Sequence, residues 1–165
     1  MLFIILNINI NNNIDNNKQV LKKLNSMFLS VDIALFDEKL DLVNLEVNNI
    51  DYIGTIKIEK YNLLLPVKSI CNNSYLSIES ACTYSKSPLI ILGTNLKDSL
   101  KNFKVYNEGD KVLFTNTLGT GVYYKIKDII VLDNIDDILN YNEDLIIAIK
   151  NYYNMEYTLL ICEVY

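Results

Sequence analysis

Residues 88–95 read PLIILGTN, an apolar run that stops abruptly on Gly93, Thr94 and Asn95. Four consecutive aliphatic residues bounded by turn formers are the pattern of a buried strand. The end of such a strand is a common place for a working side chain, and here it carries only a hydroxyl and an amide. Similar segments follow one another from Tyr52 onward: YIGTIKI (52–58), LLLPV (63–67), LIIL (89–92), KVLF (111–114), VYYKIKDIIVL (122–132), DLIIAI (144–149) and TLLICEV (158–164). This spacing predicts a mostly β fold with short helices, its sheet closed or sandwiched. NSYLSIESA (73–81) and NLKDSLKNF (95–103) have the length and polarity of helical turns, and SACTYSK (80–86) reads as a loop. Pro66 falls near a strand end, and Gly119 with Gly121 forms a hairpin tip before Val122.

The first fifty residues read differently. MLFIILNINI suggests a first strand and NNNIDNN (11–17) a turn; Val20, Leu21, Leu24, Met27 and Phe28 then recur at helical spacing, with Asp15 or Asn17 placed to cap. VDIALF (31–36) and LDLVNLEV (40–47) alternate with period two around the polar DEK (37–39), which predicts a hairpin. We therefore divide the chain into an N-terminal extension, 1–50, and a β domain, 51–165.

Composition excludes more than any motif supplies. Half of the 165 residues are hydrophobic, enough for a core without metal or disulfide staples. A net charge of −5 and a pI near 4.7 argue against a phosphate-tracking nucleic-acid surface. There is no histidine, and all 15 cationic residues are lysines. The usual neutral-pH general base is missing, and so is the planar donor that grips carboxylates and oxyanions. Ser-His-Asp and Cys-His mechanisms are excluded, as are His-based metal sites. Cys71, Cys82 and Cys162 lack ligand-like spacing, and their odd number permits at most one internal disulfide; all three are read as reduced and mostly buried. No cofactor or metal is expected, because the acidic runs DNIDD and NEDL have the form of Asx turns and match no EF-hand. The opening apolar stretch lacks a basic flank, a cleavage site and spanning length, and no later run reaches eighteen apolar residues. We expect no membrane insertion, and a cytoplasmic location rather than a secreted one.

The order of segments resembles the sortases, cysteine transpeptidases of Gram-positive bacteria built on an eight-stranded β-barrel. Four stretches carry the likeness over residues 52–139, and it extends into the tail. YIGTIKIEKYNLLLPV (52–67) is similar to the family's opening strands, I-x-I-P-K-I and L-x-L-P-V, with Glu59 in place of the proline. SPLIILGTNLKDSLKNF (87–103) is similar to the strand ending in Gly-His-Asn, YNEGDKVLF (106–114) to the Gly-Asp-Lys turn, and VYYKIKDIIVLDNIDDIL (122–139) to the long strand and its acidic turn.

The resemblance implies a closed eight-stranded barrel and a reactive trio of histidine, cysteine and arginine. Thr94 stands where the family has histidine. Two registers are open for the rest. In one, DLIIAI is the cysteine strand, so that position is Ile149 or Lys150, and the arginine position is Tyr157 or Thr158. In the other, TLLIC is the cysteine strand and Cys162 the nucleophile, with no arginine strand left. The first is preferred because it completes the barrel and leaves no exposed half-built edge.

Neither register restores the chemistry. A thiol without an imidazolium partner stays near its free pKa, and losing an oxyanion donor typically costs roughly 3 to 4 kcal/mol. Cys162 alternates with Leu160 and Val164 as a core residue does, whereas Cys82 is the more accessible thiol. A desolvated Lys150 could act as a nucleophile, but strand-end lysines are usually solvated charges. The reading is a non-catalytic, sortase-like binding or assembly module. Thr94, Asn95, Lys150 and Thr158 would border a groove for an extended peptide or partner protein, with nearby tyrosines as contact surface. The alternative is a residual cysteine transpeptidase or hydrolase using Cys162 or Cys82. Nothing in the sequence speaks to oligomeric state.

Overall fold

The computed structural model describes residues 15–26, 32–33, 40–71, 81–96, 99–100 and 103–165. Among the described residues ten strands form one sheet: β1 (Asp32–Ile33), β2 (Leu45–Val47), β3 (Ile50–Ile58), β4 (Leu63–Lys68), β5 (Cys82–Lys86), β6 (Leu89–Thr94), β7 (Lys111–Asn116), β8 (Thr120–Leu132), β9 (Leu145–Lys150) and β10 (Tyr157–Val164). The order β8-β10-β9-β6-β5-β4-β3 is closed by β7, which pairs with both β3 and β8. Eight strands therefore make a mostly β closed barrel with short 3-10 helices, as the segment order predicts. β1 and β2 are additions, joined to β8 in parallel and to β3 in antiparallel.

Strand direction follows from connection length. The β7–β8 hairpin turns through Gly119, whose φ of 88° only glycine adopts cheaply. β6 and β9 run parallel and are separated by β7, β8 and the acidic connection, long enough for a crossover. Period-two alternation then divides the side chains into two sets. Ile91, Ile147, Ile149, Leu160 and Cys162 enter the barrel core with Ile56, Phe114 and Ile126. Ile90, Ile146, Ala148, Leu159 and Ile161 face outward into a second apolar cluster, roofed by Ile135 and Ile138 of the 3-10 segment Ile135–Asn140. Asn134 accepts a hydrogen bond from Asp136 N (3.1 Å), an Asx turn that starts this segment.

Residues 15–26 are helical, and Val20 and Leu24 pack with Val47 and Tyr52. The helical spacing is thus realised there, while Asp15 and Asn17 lie within the helical residues and not ahead of them. Leu40 and Leu42 pack on the barrel core, Asn116 Nδ2 donates to Asp41 O (2.9 Å) and Thr117 Oγ1 to Val43 O (2.6 Å). These contacts bind the segment before β2 to the β7–β8 turn. The strand expected at 1–10, the helix expected within 73–80 and the turn at 37–39 lie outside the described residues.

Three local expectations are corrected. The hairpin between 31–36 and 40–47 is not the pairing found: β1 adds to β8, and β2 turns back onto β3 through Asn48 and Asn49, at φ 54° and 60°. Two consecutive positive-φ asparagines suit a tight two-residue hairpin turn, a stronger local signal than the DEK loop. The expected loop at 80–86 contains β5, paired with β6 from Cys82↔Leu92 to Lys86↔Leu89. Its polar sequence, CTYSK, hides a strand that only one face needs to make apolar. Finally, Cys71 and Cys82 are joined in a disulfide with Cα atoms 5.0 Å apart, and only Cys162 is free. The odd count allowed one bond, and the fold supplies the proximity that sequence spacing does not.

Candidate functional site

The ends of β6, β9 and β10 meet at one rim of the barrel. β9 lies between β6 and β10. Two rows of residues cross these strands. Thr94 pairs with Lys150, and Lys150 with Tyr157; one step deeper, Gly93 pairs with Ile149, and Ile149 with Thr158. Alternation sends the first row outward with Ile146, Ala148 and Leu159, and the second row into the barrel. Ile149 is fully buried and Thr158 is 2% exposed.

The outer row therefore brings together Thr94, Lys150 and Tyr157. Lys150 Nζ lies 5.9 Å from the centroid of the Tyr157 ring, which itself packs against the outer apolar cluster. Thr158, expected at the groove, is instead an inward residue, because it shares parity with Leu160 and Cys162. Thr94 Oγ1 is buried and, among the described residues, has no hydrogen-bond partner, while its backbone N–H donates to Ser99 Oγ (2.9 Å). A hydroxyl in this position has no proton to exchange near neutral pH, unlike an imidazole.

Asn95 has a role that the sequence did not suggest. Its backbone N–H donates to Lys150 O (3.0 Å), extending the β6–β9 ladder by one bond. Its side chain donates through Nδ2 to Asn151 Oδ1 (3.0 Å) and accepts from Tyr152 N–H (3.1 Å). Asn151 Oδ1 also accepts from Tyr153 N–H (3.1 Å), and Asn151 N–H donates to Glu156 O (2.8 Å). The short β9–β10 turn is thereby wired to the end of β6. It holds Met155 at φ 64° and presents Tyr153 at 88% exposure. Asn151 and Ser99 are the participants missed; the only available signal was the preference of Asn and Ser for backbone-bonded turns. Replacing Asn95 or Asn151 with alanine is expected to cost about 1 to 2 kcal/mol each, with a coupling near 1 kcal/mol in a double-mutant cycle followed by urea unfolding. Strictly additive losses would show that the two amides do not act as one clamp.

The thiols lie away from this row. Cys162 is fully buried in the barrel core, donates weakly to Leu160 O (3.5 Å), and burial pushes its thiol well above the ordinary cysteine value. Cys82, expected to be the accessible thiol, is 3% exposed and disulfide-bonded. Among the described residues no group of acidic or cysteine side chains is arranged to hold a metal ion, and no helix is long and apolar enough to cross a membrane.

The sequence matches no family model and no curated protein. The fold, by contrast, is similar to many solved sortases. Sortase A from Corynebacterium diphtheriae superposes with a TM-score of 0.58 at 17% identity, covering 70% of this chain and 61% of that one. The lid mutant of Streptococcus agalactiae sortase C1 gives 0.60 at 16% identity, covering 73% and 71%. A Clostridium perfringens sortase D5 transpeptidase gives 0.58 at 16% identity, covering 70% and 79%. The matched region is thus less than two thirds of the Corynebacterium chain. The protein has the sortase-like fold, recognised from its segment order and present as the closed eight-strand barrel.

Proposed function

We propose that this chain is a non-catalytic sortase-like protein that works by binding, holding an extended peptide or a segment of a partner protein at the rim formed by β6, β9 and β10. The observation that carries this reading is the outer row itself. Of the alternatives that the sortase resemblance leaves open, Thr94, Lys150 and Tyr157 share one face, in a chain without histidine or arginine. A residual cysteine enzyme finds little support, since one thiol is sealed in the core and the others are bonded to each other.

The fold limits how a ligand could bind. β6 and β9 are hydrogen-bonded on both sides, so an extended segment cannot join them as a further strand. It would be held by side chains of the outer row and by the Asn151–Glu156 turn, where Tyr152, Tyr153 and Met155 are exposed. Tyrosines on a pinned turn offer contact area at low entropic cost.

The test is a panel of extended peptides titrated by NMR, with product analysis of the same mixtures. We expect shifts centred on Thr94, Lys150 and Tyr157, no cleavage or joining, and at least a ten-fold weaker Kd for Lys150→Glu at an unchanged Tm. A neutral-pH thiol probe is expected to leave the unreduced native protein unlabelled. Turnover lost in Cys162→Ala would establish the enzyme reading instead, and absence of binding across the panel would remove the binding one.

A further inference from the structure

The barrel is not uniformly closed. Seven of its eight strand junctions are ladders of at least four residue pairs. The eighth, between the parallel strands β4 and β5, has a single pair among the described residues, Lys68↔Cys82. Three further hydrogen bonds reinforce it: Lys68 N–H to Ala81 O (3.2 Å), Cys71 N–H to Thr83 O (3.2 Å) and Thr83 Oγ1 to Lys68 O (2.8 Å). The Cys71–Cys82 disulfide lies at this same junction, between the first residue of β5 and the third residue after β4.

We propose that this disulfide is a redox latch, fastening the one seam of the barrel that lacks a backbone ladder and releasing it on reduction by a dithiol. Position in the fold is the argument. Where other strands are held by ladders of four or more pairs, β4 and β5 are held, among the described residues, by one pair, the three hydrogen bonds around it and one covalent bond. Breaking the bond leaves two adjoining strand edges joined only by that short set of hydrogen bonds. The effect reaches the rim site by a short path, because Cys82 pairs with Leu92, two residues before Thr94 on β6.

The two sulfurs differ in access. Cys71 is half-buried and Cys82 is 3% exposed, so an incoming thiolate attacks at Cys71. The Cys71–Cys82 bond breaks as a mixed disulfide forms on Cys71, and Cys82 leaves as a thiolate and takes a proton from water. The second thiol of the reductant then displaces Cys71, which is released and protonated. Two electrons and two protons have passed to the cysteine pair, and the reductant is left as its own disulfide. In an oxidising compartment the latch stays shut, which favours such a setting over the reducing cytoplasm expected from the sequence.

Hydrogen exchange on the whole protein, read by mass spectrometry with and without dithiothreitol, tests this. Reduction is expected to raise exchange at least ten-fold in 63–68 and 82–86 and to leave 157–164 unchanged, with oxidised glutathione reversing the effect. Cys71→Ser should reproduce the reduced pattern without reductant. Unchanged exchange in β4 and β5 on reduction would overturn the proposal. So would an equal rise in β9 and β10, which would make the bond a general staple, or alkylation of both Cys71 and Cys82 in unreduced protein made under oxidising conditions.

Discussion

Gly54→Ala is expected to destabilise the barrel by roughly 3 kcal/mol or more, lowering Tm by about 6 to 12 °C. Gly54 lies where the β3 register against β4 shifts, and it pairs with Val67 on one side and Asn116 on the other. Its φ is 155°, and a Cβ there would sit 2.0 Å from Thr115 O and 2.9 Å from Asn116 Cα. The obstacle is backbone, and that backbone belongs to β7, which is laddered to both β3 and β8. Neither side can yield without breaking a junction of the closed sheet. Gly109 provides the control: its φ is 85°, but nothing lies within 4 Å of the place a Cβ would take, so Gly109→Ala should cost only backbone strain of about 1 kcal/mol. Urea unfolding of both variants checks the ranking. A Gly54→Ala protein within about 1 kcal/mol of the parent would mean that β7 is not held where the closed barrel requires.

The same dependence on non-local pairing explains what the sequence could and could not convey. Long apolar or alternating runs such as VYYKIKDIIVL and YIGTIKI were legible because burial on one face writes itself into the residue order. β5 was not, since CTYSK contributes few apolar residues and is a strand only because Leu89–Thr94 lies beside it. β1 and β2 lie in runs read as strands, but their pairing is not legible, for a related reason: their partners, β8 and β3, are chosen by closure of the sheet and not by the nearest turn. At the rim, the resemblance pointed to Thr94 but left Ile149 against Lys150 and Tyr157 against Thr158 open. LIIAI and TLLIC are apolar almost throughout, because both faces of β9 and β10 are covered, and a strand buried on both sides carries no alternation to read. Only the register Thr94↔Lys150↔Tyr157 separates the outward row from the inward one. The Cys71–Cys82 bond was illegible in the same sense, being a consequence of where β4 and β5 approach.

Asp110→Ala is expected to cost roughly 3 kcal/mol at pH 7, because it removes a nearly buried carboxylate on which three donors converge. Asp110, 7% exposed, lies in the turn of the Gly-Asp-Lys motif. It accepts from Lys60 Nζ (2.7 Å), from the Tyr61 hydroxyl and from Asn107 N–H (2.9 Å). Tyr61 packs edge-on against Tyr106 at 5.0 Å, and Ile126 N–H donates to the backbone carbonyl of Asp110 (3.0 Å), so Asp110 joins the β3–β4 turn, through its carboxylate, to β8, through its main chain. Burial alone would raise its pKa; the hydrogen bonds from Lys60, Tyr61 and Asn107 outweigh that and hold it below the usual carboxylate value. The unfolded chain therefore binds this proton more readily than the native one. The stabilisation is complete above the unfolded value of about 3.9 and is lost as pH falls through the lower native value. Asp110→Asn keeps the shape and one acceptor, so its loss at pH 7 should be about half that of alanine, shrinking toward zero below about pH 4. The Lys60 side chain is 55% exposed, where solvent screens its charge, so Lys60→Ala should cost little and leave most of the acid sensitivity in place. Urea unfolding of the three variants between pH 7 and pH 3 separates these cases. An Asp110→Asn deficit as large at pH 3 as at pH 7 would show that shape, and not the ionised carboxylate, holds the turn against the barrel.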